Sequence, residues 1–258
     1  MAQTRIMSFN IRYDNPMDGE NAWQERKAEL CQMLDYYHPD FIGLQEALPH
    51  QLNYIDDQLE DYSFIGYGRD GQGSESEATP IFYDSTKYEV LKWEVFWLSE
   101  TPDKVSKGWD AALNRIATFG SFRNQQSGDT LYLINTHFDH MGAFARRNSA
   151  RLILDKINEL GWQNKRLIVM GDLNSEPDEE AIGMLSNELE DAYRYTISPA
   201  YGPEGTFNGF ETALPPGKRI DYIFSKNLRV KNYRTIDDKR KNALWLSDHL
   251  AVMIEIVP

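Results

Sequence analysis

The feature of this sequence that most constrains its fold is a series of short apolar runs, rich in β-branched residues, each long enough for one buried strand. The runs span residues 5–11, 40–44, 80–83, 131–135, 166–170, 220–224 and 251–257. Segments with helical periodicity lie between them, at 23–37, at 48–59, at 145–160, and after Pro177 with Asp178 as N-cap. This alternation predicts an α/β (α+β) protein whose sheets are covered by helices.

The chain shows no division into compositionally different halves. Two loops are predicted, at 66–79 and at 201–218, and a further strand follows the second of them. We therefore predict a single domain over residues 1–258. Because 41% of the 258 residues are hydrophobic, the chain has the apolar material for a large core, which excludes disorder as its main state.

Cys31 is the one cysteine of the chain. A single thiol excludes an intramolecular disulfide framework and any cluster of thiolate metal ligands. Its position within the segment predicted to form a helix over 23–37 favours a buried thiol that packs as a small hydrophobic group.

The charge balance argues against a broad nucleic-acid surface. Lys and Arg number 27 against 40 Asp and Glu, which gives a net charge of −13, so tight binding to duplex DNA is not expected. No apolar stretch approaches the roughly 20 residues that a membrane helix needs, and the mean hydropathy is −0.58. We therefore expect a soluble protein without a membrane span, either cytoplasmic or exported with its signal absent from this sequence.

Polar residues stand where the apolar runs end or are interrupted. They are Asn10, Glu46, His137, Asp172, Asn174, Asp221, Asp248 and His249. Functional sites of sheet proteins are commonly assembled from strand ends and loops along one rim. Carboxylate and amide oxygens dominate this set, and such hard donors suit Mg²⁺ or Mn²⁺ better than zinc.

Each of these residues alone also has a simpler structural interpretation. Asp172 would open a turn, Glu46 would be the first solvent-facing residue after a strand, and Asn10 would bond to the local backbone. Taken singly, His137 and His249 are more often structural than catalytic. The structural interpretations weaken because so many strand ends carry chemically matched groups.

Six motifs occur in order along nearly the whole chain. They are Ser-Phe-Asn-Ile-Arg, Gly-Leu-Gln-Glu, Asn-Thr-His-Phe-Asp-His, Gly-Asp-Leu-Asn-Ser, Arg-Ile-Asp-Tyr-Ile-Phe and Ser-Asp-His. In these motifs the sequence resembles the endonuclease/exonuclease/phosphatase superfamily of metal-dependent phosphoesterases. The resemblance implies a four-layer sandwich, with two mostly antiparallel or mixed β-sheets packed face to face and flanked by helices.

The resemblance also implies a metal site at one rim of the sandwich, filled by Mg²⁺ or Mn²⁺. Glu46 would be the principal ligand, with Asn10 and Asp248 near the metal directly or through water. The repair nucleases of the family usually carry an aspartate where this chain has Arg12, so we do not expect their metal arrangement to transfer fully.

Catalytic roles follow from the same resemblance. Asp172 would position and help to deprotonate the attacking water, and Asn174 would hold that water or a phosphoryl oxygen. Two histidine–carboxylate pairs would bracket the phosphate. They are His249 with Asp221, and His137 with Glu77, although Glu75 lies close enough in sequence to compete for the second role.

The family includes enzymes with very different phosphorylated substrates, so the fold does not name the molecule. The acidic balance favours a small phosphorylated molecule, a lipid head group or a short single strand over duplex DNA. Arg115, His140 and Arg146 are candidate substrate-binding cations. Their alternative role is structural, in surface ion pairs and in contacts at the start of the following helix.

Two other classes of protein remain open from the residues. A metal-independent glycosidase would use paired carboxylates, with the six Trp and fourteen Tyr residues as sugar-stacking platforms. A noncatalytic binding module on the same fold is the second alternative. The presence of both Asp172 and His249 argues against it.

Overall fold

The fold is built on two six-stranded β-sheets in the computed structural model, which describes residues 3–213 and 215–257. Leu214, within the loop predicted at 201–218, and the outermost residues of the predicted 1–258 domain lie outside the described residues. The strands of the described residues are β1 (Thr4–Asn10), β2 (Phe41–Gln45), β3 (Tyr62–Ile65), β4 (Ile81–Asp84), β5 (Tyr88–Trp97), β6 (Ile116–Asn124), β7 (Thr130–His137), β8 (Leu167–Asp172), β9 (Glu190–Asp191), β10 (Asp221–Lys226), β11 (Val230–Ile236) and β12 (Ala251–Ile256).

Both sheets are mixed. The first has the order β11-β12-β1-β2-β4-β3 and the second the order β5-β6-β7-β8-β10-β9. Each contains one parallel pair, β1 with β2 and β7 with β8, and the other pairs are antiparallel. In the second sheet His137 pairs with Asp172, and Asp172 pairs with Asp221. The strand register therefore places three candidate site residues side by side.

The helices of the described residues cover the outer faces of the sheets. They are α1 (Trp23–Tyr37), α2 (Pro49–Gln58), α3 (Ala143–Glu159), α4 (Glu180–Glu188) and α5 (Ala192–Tyr195), and a 3-10 helix spans Pro16–Asn21. None of these helices has the length and apolar composition that a bilayer crossing requires.

Three apolar clusters hold the layers together. One lies between the sheets and includes Ile6 and Phe41 of the first sheet with Met170 and Ile223 of the second. Successive strand residues point to opposite faces, so Met7 joins a separate cluster with α1 and α2. The third cluster packs α3 and α4 on the second sheet. The order helix, sheet, sheet, helix confirms the predicted four-layer sandwich.

A buried polar contact locks the two sheets together near the site. Asn135 of β7 donates hydrogen bonds to the carbonyls of Leu44 and Pro80, both at 2.8 Å. Its side-chain oxygen accepts a bond from Gln45 Nε2 at 2.7 Å. A Cβ at Gly43 would lie 2.7 Å from that same oxygen, so the close approach of the sheets here requires glycine.

The predicted helix over 23–37 is confirmed, and Cys31 is buried within it. The helix predicted from 145 begins two residues earlier, at Ala143. The helix after Pro177 begins at Glu180 with Glu179 as its cap rather than Asp178. Glu179 has the extended backbone of a cap, and its carbonyl accepts the first helical bonds from the amides that follow it.

The seven predicted strands are present within two residues of their predicted ends, but five further strands were not predicted. They are β3, β5, β6, β9 and β11. Four of these are short, at a sheet edge, or both, and β5 exposes charged residues there, as edge strands commonly do. The exception is β6, which is central but lacks a continuous apolar run.

Candidate active site

The predicted site residues meet at one rim of the sandwich. Asn10, Glu46, His137 and Asp172 stand at or just after the ends of β1, β2, β7 and β8. Antiparallel strands begin where their neighbours end, so Asp221 at the start of β10 and the Asp248–His249 pair before β12 reach the same rim. A pocket of about 820 Å³ at this rim is lined by Glu46, His137, Asp172, Asp248 and His249. Asn10 and Asp221 are hydrogen-bonded to these lining residues.

Asn10 joins the two carboxylates that are central to the site. Its side-chain Nδ2 donates to Glu46 Oε1 at 3.0 Å and to Asp172 Oδ2 at 2.9 Å. Its Oδ1 accepts a bond from the Arg12 amide, so Asn10 turns its N–H groups toward the carboxylates. Glu46 Oε2 accepts a bond from the Tyr13 amide at 3.1 Å.

The backbones of two site residues are in the left-handed conformation, which residues other than glycine rarely adopt. Glu46 has a φ of 61° and Asn174 a φ of 45°. Such conformations cost about 1–3 kcal/mol each and persist where the surrounding structure enforces them, often at functional sites. For Glu46 the strain accompanies the turn that aims its carboxylate at Asn10.

Asp172 is surrounded by hydrogen-bond donors and imidazoles. Besides Asn10, the Asn174 amide donates to Asp172 Oδ1 at 2.9 Å. The Nε2 atoms of His137 and His249 lie 3.4 and 3.6 Å from Asp172 Oδ2. Burial and the negative charge of Asp221 outweigh the opposing effect of His249 and raise the pKa of Asp172 to about 7.

His249 forms the predicted pair with Asp221. Its Nδ1 lies 2.9 Å from Asp221 Oδ2. Burial alone would lower the pKa of His249, but the carboxylates of Asp221 and Asp172 raise it well above its usual value. The ring is therefore a cation at neutral pH, and the edge-to-face ring of Phe207, with centroids 5.0 Å apart, packs against it.

His137 does not form the predicted pair with Glu77, and this expectation is corrected. Among the described residues Glu77 instead receives both terminal nitrogens of Arg69, each at 2.9 Å, because the guanidinium fork matches a carboxylate. His137 Nε2 lies 3.1 Å from Asn174 Nδ2. Burial and the nearby Arg115 lower the pKa of His137 well below its usual value, so this ring is neutral and Nε2 accepts the bond.

Asp248 lies against Arg12, at the position where the sequence departs from the repair nucleases. Arg12 Nη1 is 3.7 Å from Asp248 Oδ2, and its Nε is 3.0 Å from Asp18. Burial raises the pKa of Asp248, and the charge of Glu46 raises it further. The guanidinium of Arg12 thus places a positive charge beside two acidic residues of the site, Asp248 and Glu46.

The three candidate substrate-binding residues, Arg115, His140 and Arg146, all line the pocket. Arg115 lies 3.4 Å from Asp139 and donates to His140 Nδ1 at 3.0 Å. Arg146 donates to Ser175 and to Glu179, the cap of α4, at 3.1 and 2.9 Å. The structural contacts considered from the sequence therefore coexist with a position in the pocket.

Arg69 and Lys218 also line the pocket and were not identified from the sequence. Arg69 lies in the loop predicted at 66–79, which is rich in Gly, Ser and charged residues. The loop's single arginine, next to strands that end at the rim, was the signal that would have found it.

The donor set fits a hard divalent cation. One ligand atom from each of Glu46, His137 and Asp172 lies within 4.8 Å of the others, and the same holds for Asp172, Asp221 and His249. In the second set, His249 and Asp221 are hydrogen-bonded to each other. The first set offers two carboxylates, those of Glu46 and Asp172, and Mg²⁺ usually takes one or two. Burial, together with the charge of neighbouring carboxylates, raises the pKa values of Asp172 and Asp248, and such a cation would neutralise that charge.

A larger groove of about 1080 Å³ lies elsewhere on the molecule, lined by residues such as Arg5, Asp40 and Lys87. Its charged groups neutralise each other, since Lys87 Nζ lies 2.8 Å from both Asp40 and Asp84. The chemistry of the molecule is therefore concentrated in the smaller pocket.

Comparison with known proteins agrees with this geometry. The model of the Endonuclease/Exonuclease/phosphatase family matches residues 7–249. An endonuclease/exonuclease/phosphatase from Bacteroides vulgatus is 37% identical, with a TM-score of 0.93, over 100% of this chain and 99% of that chain. A mannosyl-6-phosphatase from Bacteroides thetaiotaomicron is 35% identical, with a TM-score of 0.94, over 99% of this chain and 100% of that chain.

The name of a more distant relative indicates an activity on nucleic acid. Tyrosyl-DNA phosphodiesterase 2 from Gallus gallus is 25% identical over 187 residues, which are 69% of this chain and 44% of that protein. The chain thus matches less than half the length of that relative.

Proposed function

The chain belongs to the Endonuclease/Exonuclease/phosphatase family and is a hydrolase of phosphoester bonds, and we propose that it uses Mg²⁺ or Mn²⁺ to hydrolyse small phosphorylated molecules. The observation that carries this proposal is the position of Asp172, which accepts bonds from Asn10 and Asn174 beside the carboxylate of Glu46. The family assignment favours this activity over the glycosidase alternative.

We assign the metal to Glu46, with Asp248 acting through water. When bound, the cation would neutralise charge on the phosphoryl oxygens, which otherwise repel a nucleophile. Asn10 orients this site because its Nδ2 bonds both Glu46 and Asp172.

Asp172 is the proposed base. A carboxylate with a pKa near 7 accepts a proton from water at neutral pH far better than an ordinary aspartate does. The water oxygen bonds to phosphorus, its proton passes to Asp172, and the ester oxygen leaves and takes a proton from solvent. Asn174 orients the water or a phosphoryl oxygen through its side-chain amide.

His249 and His137 have different proposed tasks because their charges differ. The cationic His249 donates a hydrogen bond to a phosphoryl oxygen as negative charge develops there. The neutral His137 accepts from Asn174 and so holds that amide in place. Asp221 keeps the His249 ring oriented and charged.

A small substrate is supported by charge and by similarity. The net charge of −13 disfavours tracking along a duplex backbone. The 35% identical neighbour is by name a mannosyl-6-phosphatase, which supports a small phosphorylated molecule here. A short single strand is the second candidate, favoured by the Tyrosyl-DNA phosphodiesterase 2 relative.

The test is a substrate panel with Mg²⁺, Mn²⁺ or EDTA. The panel holds an aryl phosphomonoester, an aryl phosphodiester, sugar and inositol phosphates, and a short single-stranded oligonucleotide. We expect turnover that EDTA abolishes and that Asp172→Asn lowers by about 10²- to 10⁴-fold, with sugar phosphates ahead of the oligonucleotide. Turnover that survives both EDTA and the Asp172 variant would refute the proposal.

A further inference from the structure

Two arginines on one wall of the pocket are not used by the proposed chemistry. Arg69 comes from the loop between β3 and β4, and Arg115 directly precedes β6. Both line the pocket together with Glu46 and His137. Each carries a planar guanidinium with five N–H donors, a shape that matches phosphate oxygens.

Arg69 is held rigidly by its own loop. Glu77 binds two of its nitrogens, and the Arg69 amide bonds the Glu77 carbonyl at 3.0 Å. Trp97 Nε1 of β5 donates to the Arg69 carbonyl at 2.7 Å. The Arg69 side chain is 15% exposed, and it lines the pocket.

Arg115 is more deeply placed and has donors to spare. Its side chain is 5% exposed. Its Nε lies 3.4 Å from Asp139 and its Nη2 donates to His140 Nδ1. Among the described residues its Nη1 has no hydrogen-bond partner. Nη1 is not among the buried polar atoms that lack a partner, so solvent reaches it, and an anion in the pocket can take the place of that water.

The two arginines also line a small cavity on this side of the pocket. Between them lies a cavity of about 10 Å³, bounded by Arg69, Glu77, Thr79, Arg115 and Ile116. A space of that size accommodates about one water molecule. Glu46 and His137 also line it, so a phosphoryl oxygen in this space would lie close to the proposed metal ligand.

We propose that Arg69 and Arg115 bind the terminal oxygens of a phosphomonoester dianion and thereby make the enzyme selective for monoesters over diesters. This inference rests on the proposed function and names the class of ester that the same site takes. A monoester offers three terminal oxygens and close to two charges at neutral pH. A diester offers one charge and one terminal oxygen fewer, so it leaves these guanidinium donors with fewer charged acceptors.

The test compares 4-nitrophenyl phosphate with bis(4-nitrophenyl) phosphate in the metal-loaded enzyme. The variants are Arg69→Gln and Arg115→Gln, with Arg123→Gln as the matched control. Arg123 also pairs with a glutamate across neighbouring strands, Glu89, but on an exposed surface outside the pocket. Circular dichroism and thermal melting show whether each variant is folded.

We expect the wild type to prefer the monoester. A hydrogen bond to a charged group contributes about 1.5–3 kcal/mol, so each pocket variant should lower kcat/KM for the monoester by about 10- to 100-fold. The diester rate should change by less than about threefold, and Arg123→Gln should change neither. Inhibition by inorganic phosphate should weaken in parallel, and Arg69→Lys should recover part of the monoester rate because it restores the charge.

Equal losses on both substrates, or a wild-type preference for the diester, would overturn the inference while leaving the proposed function intact. Failure of the proposed function has a different result. In that case neither ester would be hydrolysed in a manner that depends on metal and on Asp172.

Discussion

The pairing of His249 with Asp221 predicts how the pH dependence of the enzyme responds to Asp221→Asn. The two groups are 2.9 Å apart and buried, and the Asp221 and Asp172 carboxylates keep the pKa of His249 well above its usual value. The variant retains the burial, which lowers the pKa, but loses one of the two opposing charges. Asparagine keeps the shape of the side chain, so the change is electrostatic.

The size of the effect follows from the charge removed. An opposite charge at this distance shifts a pKa by about 1–3 units, which is about 1.4–4 kcal/mol. Above both pKa values the cationic fraction of His249 therefore falls by about 10- to 1000-fold. Because the cation serves the phosphoryl oxygens, the loss of kcat/KM should grow toward the alkaline end of the pH range and be small at pH 5.5.

The assay is the pH profile of kcat/KM from pH 5 to pH 9 on whichever ester the panel identifies. The alkaline limb of the variant should move to lower pH than that of the wild type. Asp237→Asn, which removes an exposed carboxylate outside the pocket, should leave the profile unchanged. A uniform loss at every pH, with the alkaline limb in place, would refute the assignment of a cationic role to His249.

The same raised pKa has a thermodynamic consequence of fixed sign. A group whose pKa is higher in the folded protein contributes stability below its unfolded pKa, near 6.5 for His, and loses it as the pH rises through the folded value. The difference in unfolding free energy between wild type and Asp221→Asn should therefore be largest near pH 6 and shrink at alkaline pH. Urea unfolding at several pH values measures it.

Three further predictions concern the metal, the sheet contact and the thiol. Glu46→Gln should weaken Mg²⁺ or Mn²⁺ binding at least tenfold by titration calorimetry, since it removes the charge of the principal ligand; unchanged affinity would place the metal elsewhere. Gly43→Ala should lower the unfolding free energy by about 1–3 kcal/mol in urea titrations, because the new Cβ would meet Asn135 and Met170 at 2.7 Å; a neutral result would mean that the sheets separate easily. Cys31, which is 4% exposed and whose pKa burial raises to about 12, should react with a thiol reagent only after unfolding, and rapid labelling of the native protein would contradict its burial.

Much of the fold was predictable because buried strands and amphipathic helices carry local patterns. Most of the central strands and α1 follow directly from apolar runs and periodicity, whereas the central β6 does not, because it lacks a continuous apolar run. The edge strands do not, because β5 carries exposed Lys92 and Glu94 and its pairing with β6 is a property of the assembled sheet. Strand pairing across long sequence separations leaves no signal in the strand itself.

The positions of the site residues were predictable because these residues stand at strand ends. Their ion-pair and hydrogen-bond partners were less predictable. The pair of His249 with Asp221 follows the motifs. The pairing of Glu77 with Arg69 does not follow from the motifs. It depends on the path of the loop, which brings Arg69 next to Glu77. Several acidic and several positively charged side chains lie at this rim, so many different ion pairs are possible. Only the three-dimensional packing of the chain decides which of them form.

The place of β12 in the first sheet ties completion of the pocket to a pairing between strands that are far apart in sequence. β12 pairs with β1 on one side and β11 on the other, so it joins a strand close to it in sequence to one that is very distant. Asp248 and His249 immediately precede it. Closing so long a loop costs conformational entropy, and the pocket is therefore complete only once β12 has paired with β1.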